Sequence, residues 1–410
     1  MLKKFCKMSK IMAVNAGSSS LKFQLLEMTK ASEVVLTEGI FEKIGQPEPI
    51  FTIKFDGNKE TKLVPEVKNH GDSVDMLLKV LVEKGIVKNL NEIKGVGHRI
   101  LHCGEKYSDS VVMNEESIAV VESVNDLGPL HNPANLTGVR AFMKALPDVV
   151  NVGVFDTSFH LSMPDEAYMY ACPYEWYEKY SVRKYGFHGT SHKYVAYRAA
   201  EILGKPLEEL RIITCHIGNG ASLAAIKYGK VVDTSMGLTP LDGLVMGTRS
   251  GTLDPAVIQF ISNHEGFTSN KIVDILNKKS GFYGFTGGHS DAREVRALQA
   301  EGDYKADLIL RMQEKSIADY IGQYFVYMGG VDAIIFTAGI GEKSPECRLH
   351  VCERIKEALQ IEIDENVNAI KGEELEISTP NSKVKVLVVP TNEELMIARD
   401  CIRVGKIELE

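Results

Sequence analysis

The sequence predicts an α/β protein of two domains, each with its own sheet and helices. Three observations carry that expectation. The 410 residues are too many for one ordinary core, and 44% hydrophobic with 25% charged residues is a globular balance. An apolar strand, a turn of small polar residues and a second strand occur around NAGSSSLKF (15–23) and again around CHIGNGAS (215–222). Strand-like runs alternate with helical periods along both halves. The halves share little residue identity, so the repeat is one of pattern.

The start, MLKKFCKMSKI, lacks the apolar stretch of a signal peptide, so residues 1–9 read as a loose tail with Met8 an alternative start. The run IMAV (11–14) and its partner LKFQLL (21–26) form the first hairpin; SEVVLTEGIF (32–41) and PIFTIKF (49–55) continue as strands. DSVDMLLKVLVEKG (72–85) has a helical period closed by Gly85. Asn132 caps a helix starting at Pro133, and the strand VVNVGVF (149–155) ends at Asp156. RIITCHIGNGASLAAIKYGKVVDTS (211–235) reads as three strands, and VDAIIF (331–336) leads into the glycine-rich turn TAGIGE (337–342) before a helix at Ser344. KVKVLVVP (383–390) is a buried strand, and in TNEELMIARD (391–400) Thr391 and Glu394 form a capping box that leaves Glu393 free.

The net charge of −8, without a basic block, argues against nucleic acid or an anionic membrane as partner, and no run of about 20 apolar residues occurs. Seven scattered cysteines without a CxxC fit reduced thiols in the cytosol. The first turn has no P-loop spacing and alone reads as a polar hairpin turn, although its serines and lysine suit phosphate oxygens. Three glycine-rich turns after apolar strands suggest a nucleotide held in a cleft between the domains. Arg99 and Arg249 lie among glycine turns, where guanidinium forks can neutralise a transferring phosphoryl group. His188 and His192 have an i, i+4 spacing, but the glutamate of HExxH is missing. His188 therefore reads as a hydrogen-bond donor to developing charge and His192 as structural, while His98, His102, His131 and His216 orient neighbours. A free Glu393 suits magnesium. These residues reach phosphoryl transfer from a magnesium nucleotide and leave the acceptor open.

Taken together, NAGSSSLKF, GHRILHCGEKY, PLHNPANL, VFDTSFH, RKYGFHGTSH, CHIGNGAS, GLTPLDGLVMGTRSG, FTAGIGE and TNEEL resemble the acetate kinase family, within the sugar kinase, heat-shock chaperone and actin superfamily. The resemblance runs from about Lys10 to Arg403. It implies two ribonuclease-H-like, actin-like ATPase domains: 1–157 plus 392–410 for acyl substrate and first phosphate loop, and 158–391 for nucleotide and dimerisation. It implies reversible transfer between ATP and acetate, giving ADP and acetyl phosphate, with Mg²⁺ or Mn²⁺, in a homodimer. By the same resemblance Arg99, Asp156, His188 and Arg249 are catalytic, and Asn15 and Glu393 serve the metal. Ser18, Ser20 and Lys22 match the first phosphate loop; His216, Gly218, Asn219 and Gly220 match the second. Asp291, Arg293, Gly339, Ile340 and Gly341 match nucleoside segments, and Arg99, Leu101, Leu130, Phe187 and Pro240 the acyl-substrate site.

Cys103, Gly128, Asp242 and Lys343 depart from the family's usual glycine, alanine, glutamate and asparagine, and Leu101 stands where valine is common. Lys343 adds a cation beside the nucleoside loop and bears on donor choice. Two other functions fit parts of this pattern. A propionate or other short-chain acyl kinase shares nearly every motif, and an actin- or chaperone-like ATPase module shares the nucleotide loops without needing Arg99.

Overall fold

A computed structural model describes residues 9–409, which form two compact units. Unit 1 runs through Phe159 and resumes at Asn392; unit 2 is His160–Thr391. Most of the expected tail, with Met8 and Cys6, lies outside the described residues. Ser9, placed in that tail, instead opens the first strand, where it is buried and its Oγ donates to the Glu408 carbonyl at 3.2 Å.

In unit 1, β1 (Ser9–Ala16), β2 (Ser20–Met28), β3 (Glu33–Glu42), β4 (Ile50–Phe55) and β5 (Asn58–Leu63) pair antiparallel in succession. On the other side of β1, β6 (Ile93–Ile100) is parallel to it. Beyond lie the two-residue edge β7 (Val111–Val112) and β8 (Val150–Phe155), with β8 parallel to β6. The run IMAV is buried throughout because helices cover both faces of the central strands, which calls for a continuous apolar run rather than alternation. The strand β5 was not read from the sequence. Its turn, Asp56-Gly57, has both residues at positive φ, the two-residue geometry that matches strand twist. NKETKL is wholly exposed and charged, so nothing apolar marks it.

Helix Asn132–Ala145 packs on β1 and β6, and helix Glu393–Gly405 packs on β1, β6 and β8. The second helix approaches closely because β6 carries glycine: a Cβ on Gly97 would lie 2.5 Å from Ile397 Cγ2. Two expected caps are corrected. Asn132 lies inside its helix, with His131 at the cap, because its amide is taken by the His102 backbone. The last helix is capped by Asn392, whose Oδ1 accepts from Leu395 N–H, while Glu394 pairs with Lys22.

In unit 2, β9 (Arg211–Ile217), β10 (Ala221–Lys227) and β11 (Lys230–Thr234) form an antiparallel meander. Parallel β12 (Ala333–Thr337) lies beside β9, followed by β14 (Lys385–Val388) with the two-residue β13 (Leu375–Glu376) antiparallel at its edge. The order β11-β10-β9-β12-β14-β13 repeats β3-β2-β1-β6-β8-β7 of unit 1. The duplication inferred from two turns is thus a duplication of topology, of ribonuclease-H-like order. The expected turn TAGIGE is largely helical: Ala338–Lys343 forms a short helix entered through Ala338 at φ 64°. Among the described residues no helix is long and apolar enough to cross a membrane.

Candidate active site

The parallel strands of unit 1 deliver their carboxyl ends to one place, where open α/β sheets bind ligands. Arg99 comes from the end of β6, and Asp156 follows β8. Arg99 Nε donates to Asp156 Oδ1 at 3.1 Å and Nη2 to Oδ2, a two-pronged pair in which Asp156 is only 1% exposed. Asp156, and after it Glu393 at 4.0 Å, hold the Arg99 guanidinium well above its ordinary pKa. The Glu393 carboxyl is pushed up to about 7, chiefly by burial, with Asp156 and Glu394 adding repulsion.

The first turn closes through Gly17 N–H to the Ser20 carbonyl at 2.8 Å, with Ser18 exposed between them. Asn15 faces Lys22 across the strand pair, and Lys22 is engaged by Glu394. Leu101 is fixed through its backbone: Asn135 Oδ1 accepts its N–H at 3.1 Å, while Asn135 Nδ2 donates to the Ala16 carbonyl at 2.6 Å. One buried carboxamide therefore ties the Arg99–Leu101 segment to the first turn. Leu101 rests against Gly128, where a Cβ would stand 3.3 Å from its Cδ2. Leu130 is 77% exposed.

In unit 2 a second cluster forms around Gly220. His188 is held in left-handed backbone (φ 58°), costly for a side chain with a Cβ and typical of a functional position. Its ring stacks on His216 at 4.1 Å between centroids. A Cβ on Gly220 would lie 3.3 Å from Arg249 Nη1 and 3.5 Å from His188 Nε2, so both groups address the space over this glycine. Arg249 donates to the Pro240 carbonyl at 3.3 Å and has no carboxylate partner among the described residues; burial alone pulls its pKa down. Phe187 is buried, next in sequence to His188.

A cavity of about 770 Å³ in unit 2 brings Gly218, Asn219, Asp291, Arg293, Gly339 and Ile340 together, with Lys343 on its wall. Gly341 is buried behind them. Asp291 caps helix Ala292–Ala300 and pairs with Arg293, whose hydrogen bond holds the Asp291 carboxyl down at about 2. Arg296 and Lys371 also line this cavity and were missed, since single basic residues carry no local signature.

The acetokinase family model matches residues 10–399, essentially every described element. The chain belongs to the acetokinase family. It is 54% identical over 400 residues to the acetate kinase of Bacillus cereus, covering 98% of this chain and 100% of the relative. The crystal structure of Porphyromonas gingivalis acetate kinase superposes with a TM-score of 0.93 at 47% identity, over 97% of this chain and 100% of that one. A propionate kinase from Francisella tularensis superposes at 0.89 with 40% identity and the same coverage. This acetokinase-family chain also carries polar residues that sequence reasoning passed over, above all Thr214, Ser191 and Ser222 in the histidine cluster. Ser191 Oγ meets His216 Nδ1 and Thr391 Oγ1, each at 2.8 Å. Thr214 and Ser222 sit in apolar strands and Ser191 on a helix, so no local pattern marks them.

Proposed function

We propose that this protein catalyses reversible, Mg²⁺-dependent transfer of the ATP γ-phosphoryl group to acetate, giving acetyl phosphate and ADP. One observation carries the reading: Arg249 is a half-buried guanidinium with no carboxylate to neutralise it among the described residues, beside His188 and a glycine loop. A buried unpaired charge is costly unless its partner is the ligand, and a phosphoryl group is that partner.

Acetate, with a carboxyl pKa near that of Glu at about 4.3, is already ionised at neutral pH and needs no general base. The obstacle is repulsion between two anions. Arg99, aimed by Asp156, binds the acetate carboxylate and the incoming phosphoryl group; Arg249 and the His188 N–H stabilise the equatorial oxygens as charge spreads over them. We assign the acyl methyl to Leu101, Leu130, Phe187 and Pro240. Ser18, Ser20 and Lys22 steady phosphate on the acceptor side; His216, Gly218, Asn219 and Gly220 do so on the donor side. Asp291, Arg293 and 339–341 take the nucleoside.

Mg²⁺ fits the residues of unit 1. Burial first, and then the neighbouring Asp156 and Glu394 carboxylates, raise the Glu393 pKa, and a dication would relieve that crowding of negative charge. No group of three acidic, His or Cys residues forms a metal cage among the described residues, and Mg²⁺ needs only one or two carboxylates beside phosphate oxygens. Glu393 and Asn15 would hold it, and it would supply charge neutralisation of the phosphates.

We also place the protein in the cytosol as a homodimer. Support comes from the free cysteines among the described residues and from Tyr174, Trp176 and Tyr180, exposed on helix Tyr174–Tyr180 of unit 2. The test is purified protein with ATP, Mg²⁺ and a series of carboxylates, acyl phosphate being trapped by hydroxylamine. Acetate should give the highest specificity constant. A propionate optimum would replace acetate by propionate in this reading, and ATP hydrolysis with no acyl phosphate would favour the ATPase-module alternative.

A further inference from the structure

The histidine cluster of unit 2 contains more polar groups than contact with a phosphoryl group requires. Thr214 Oγ1 meets His192 Nδ1 at 2.7 Å, His192 Nε2 meets Ser222 Oγ at 2.8 Å, and Ser222 Oγ meets His188 Nδ1 at 2.9 Å. Thr214, His192 and Ser222 are completely buried. We propose that Thr214, His192 and Ser222 form a relay that fixes the His188 tautomer, leaving the proton on Nε2, the nitrogen facing Gly220 and Arg249.

Proton counting sets the direction of the chain. Burial pulls the His192 pKa well below its ordinary value, so the ring is neutral, with one donor and one acceptor nitrogen. Each hydroxyl has a single proton to give. The chain thus has two self-consistent directions, and its far end decides between them. Among the described residues Thr214 has one other acceptor in range, the Ala224 carbonyl at 3.5 Å, too long to compete with a ring nitrogen at 2.7 Å. Thr214 therefore donates to His192 Nδ1. His192 must then carry its proton on Nε2 and donate to Ser222, and Ser222 must donate to His188 Nδ1. That leaves the His188 proton on Nε2. The reverse order would turn the Nε2 lone pair towards the oxygens of a phosphoryl group, repelling the charge that develops there.

His192, read from sequence as structural, is on this account a positioning residue, as are Thr214 and Ser222. The inference rests on the proposed role of His188 as donor, and the test separates the two. Thr214→Val keeps shape and removes the hydroxyl; Thr214→Ser keeps the hydroxyl and removes a methyl. A packing role ranks valine as the milder change, and the relay ranks serine so. Expected are a kcat within about twofold of wild type for Thr214→Ser and about tenfold lower for Thr214→Val, with KM for acetate and ATP held within about twofold. In ¹⁵N-histidine spectra, His188 should have a protonated Nε2 in the wild type and Thr214→Ser, and a tautomer mixture in Thr214→Val. Ser222→Ala, adjacent to His188, should give the same mixture and decides the matter if Thr214→Val does not fold. An unchanged His188 tautomer in these variants overturns the relay. A shifted tautomer with unchanged kcat upholds the relay and removes His188 from phosphoryl stabilisation.

Discussion

Arg99→Ala and Arg249→Ala should cripple the same activity while differing sharply in their cost to stability. Each is expected to lower kcat by roughly three orders of magnitude or more, the scale of an arginine at a phosphoryl transition state. The structural surroundings differ. Removing Arg99 takes both guanidinium prongs from Asp156, which is 1% exposed, and breaking a buried pair costs about 3–5 kcal/mol. For a unit of this size that lowers the melting temperature by roughly 6–20 °C. Removing Arg249 breaks no ion pair; the lost bond to the Pro240 carbonyl costs about 1 kcal/mol and is offset by relief of a buried charge. Its melting temperature should stay within about 3 °C of wild type. The assay is thermal unfolding followed by circular dichroism, beside acetyl phosphate formation. Arg99→Ala/Asp156→Asn should recover most of the lost stability and none of the activity. Equal destabilisation by the two single variants, or no recovery in the double variant, would refute the assignment of Arg99 as structurally compensated and Arg249 as waiting for its anion.

Leu101→Ala should raise the propionate-to-acetate ratio of specificity constants, by up to the 10- to 200-fold that about 1–3 kcal/mol per methylene allows; an unchanged ratio removes Leu101 from the acyl pocket. Gly220→Ala, which presses a Cβ on Arg249 and His188, should fold normally and lose about tenfold or more in kcat; wild-type turnover would mean that neither group works over that glycine. Lys343→Asn should change the relative use of ATP, GTP and pyrophosphate, and identical proportions before and after exclude Lys343 from donor choice. Glu393 has a folded pKa of about 7 against an ordinary 4.5, so it stabilises the fold below pH 4.5 and that contribution is lost as pH rises to 7. Glu393→Gln should therefore gain stability relative to wild type across that window in metal-free urea titrations, and a constant difference across it would mean that the carboxyl is not buried uncharged.

Loops at strand ends were the most legible part of the site, because glycines and serines after an apolar run have few other uses. Arg99, Asp156, Arg249 and His188 stood beside such turns. The caps were misread for one reason: Asn132 and Glu394 carry capping chemistry, yet partners distant in sequence, His102 and Lys22, claimed their side chains. Local grammar cannot register a competitor so far along the chain. The strand β5 escaped because an exposed edge strand needs charge rather than apolar alternation. Thr214 and Ser222 were invisible for the opposite reason, as hydroxyls inside apolar strands read as ordinary β-formers until their neighbours are known.

Helix Glu393–Gly405, seated on β1, β6 and β8, has a consequence for how the protein is made. The strands of unit 1 leave the ribosome first, but this covering helix is translated only after all of unit 2. During elongation the glycine-lined face of β6 stays bare, while unit 2, continuous in sequence, can condense without waiting. Nascent chains stalled before Asn392 should bind a hydrophobic dye and be cut readily within unit 1, and release of the last helix should protect them in one step.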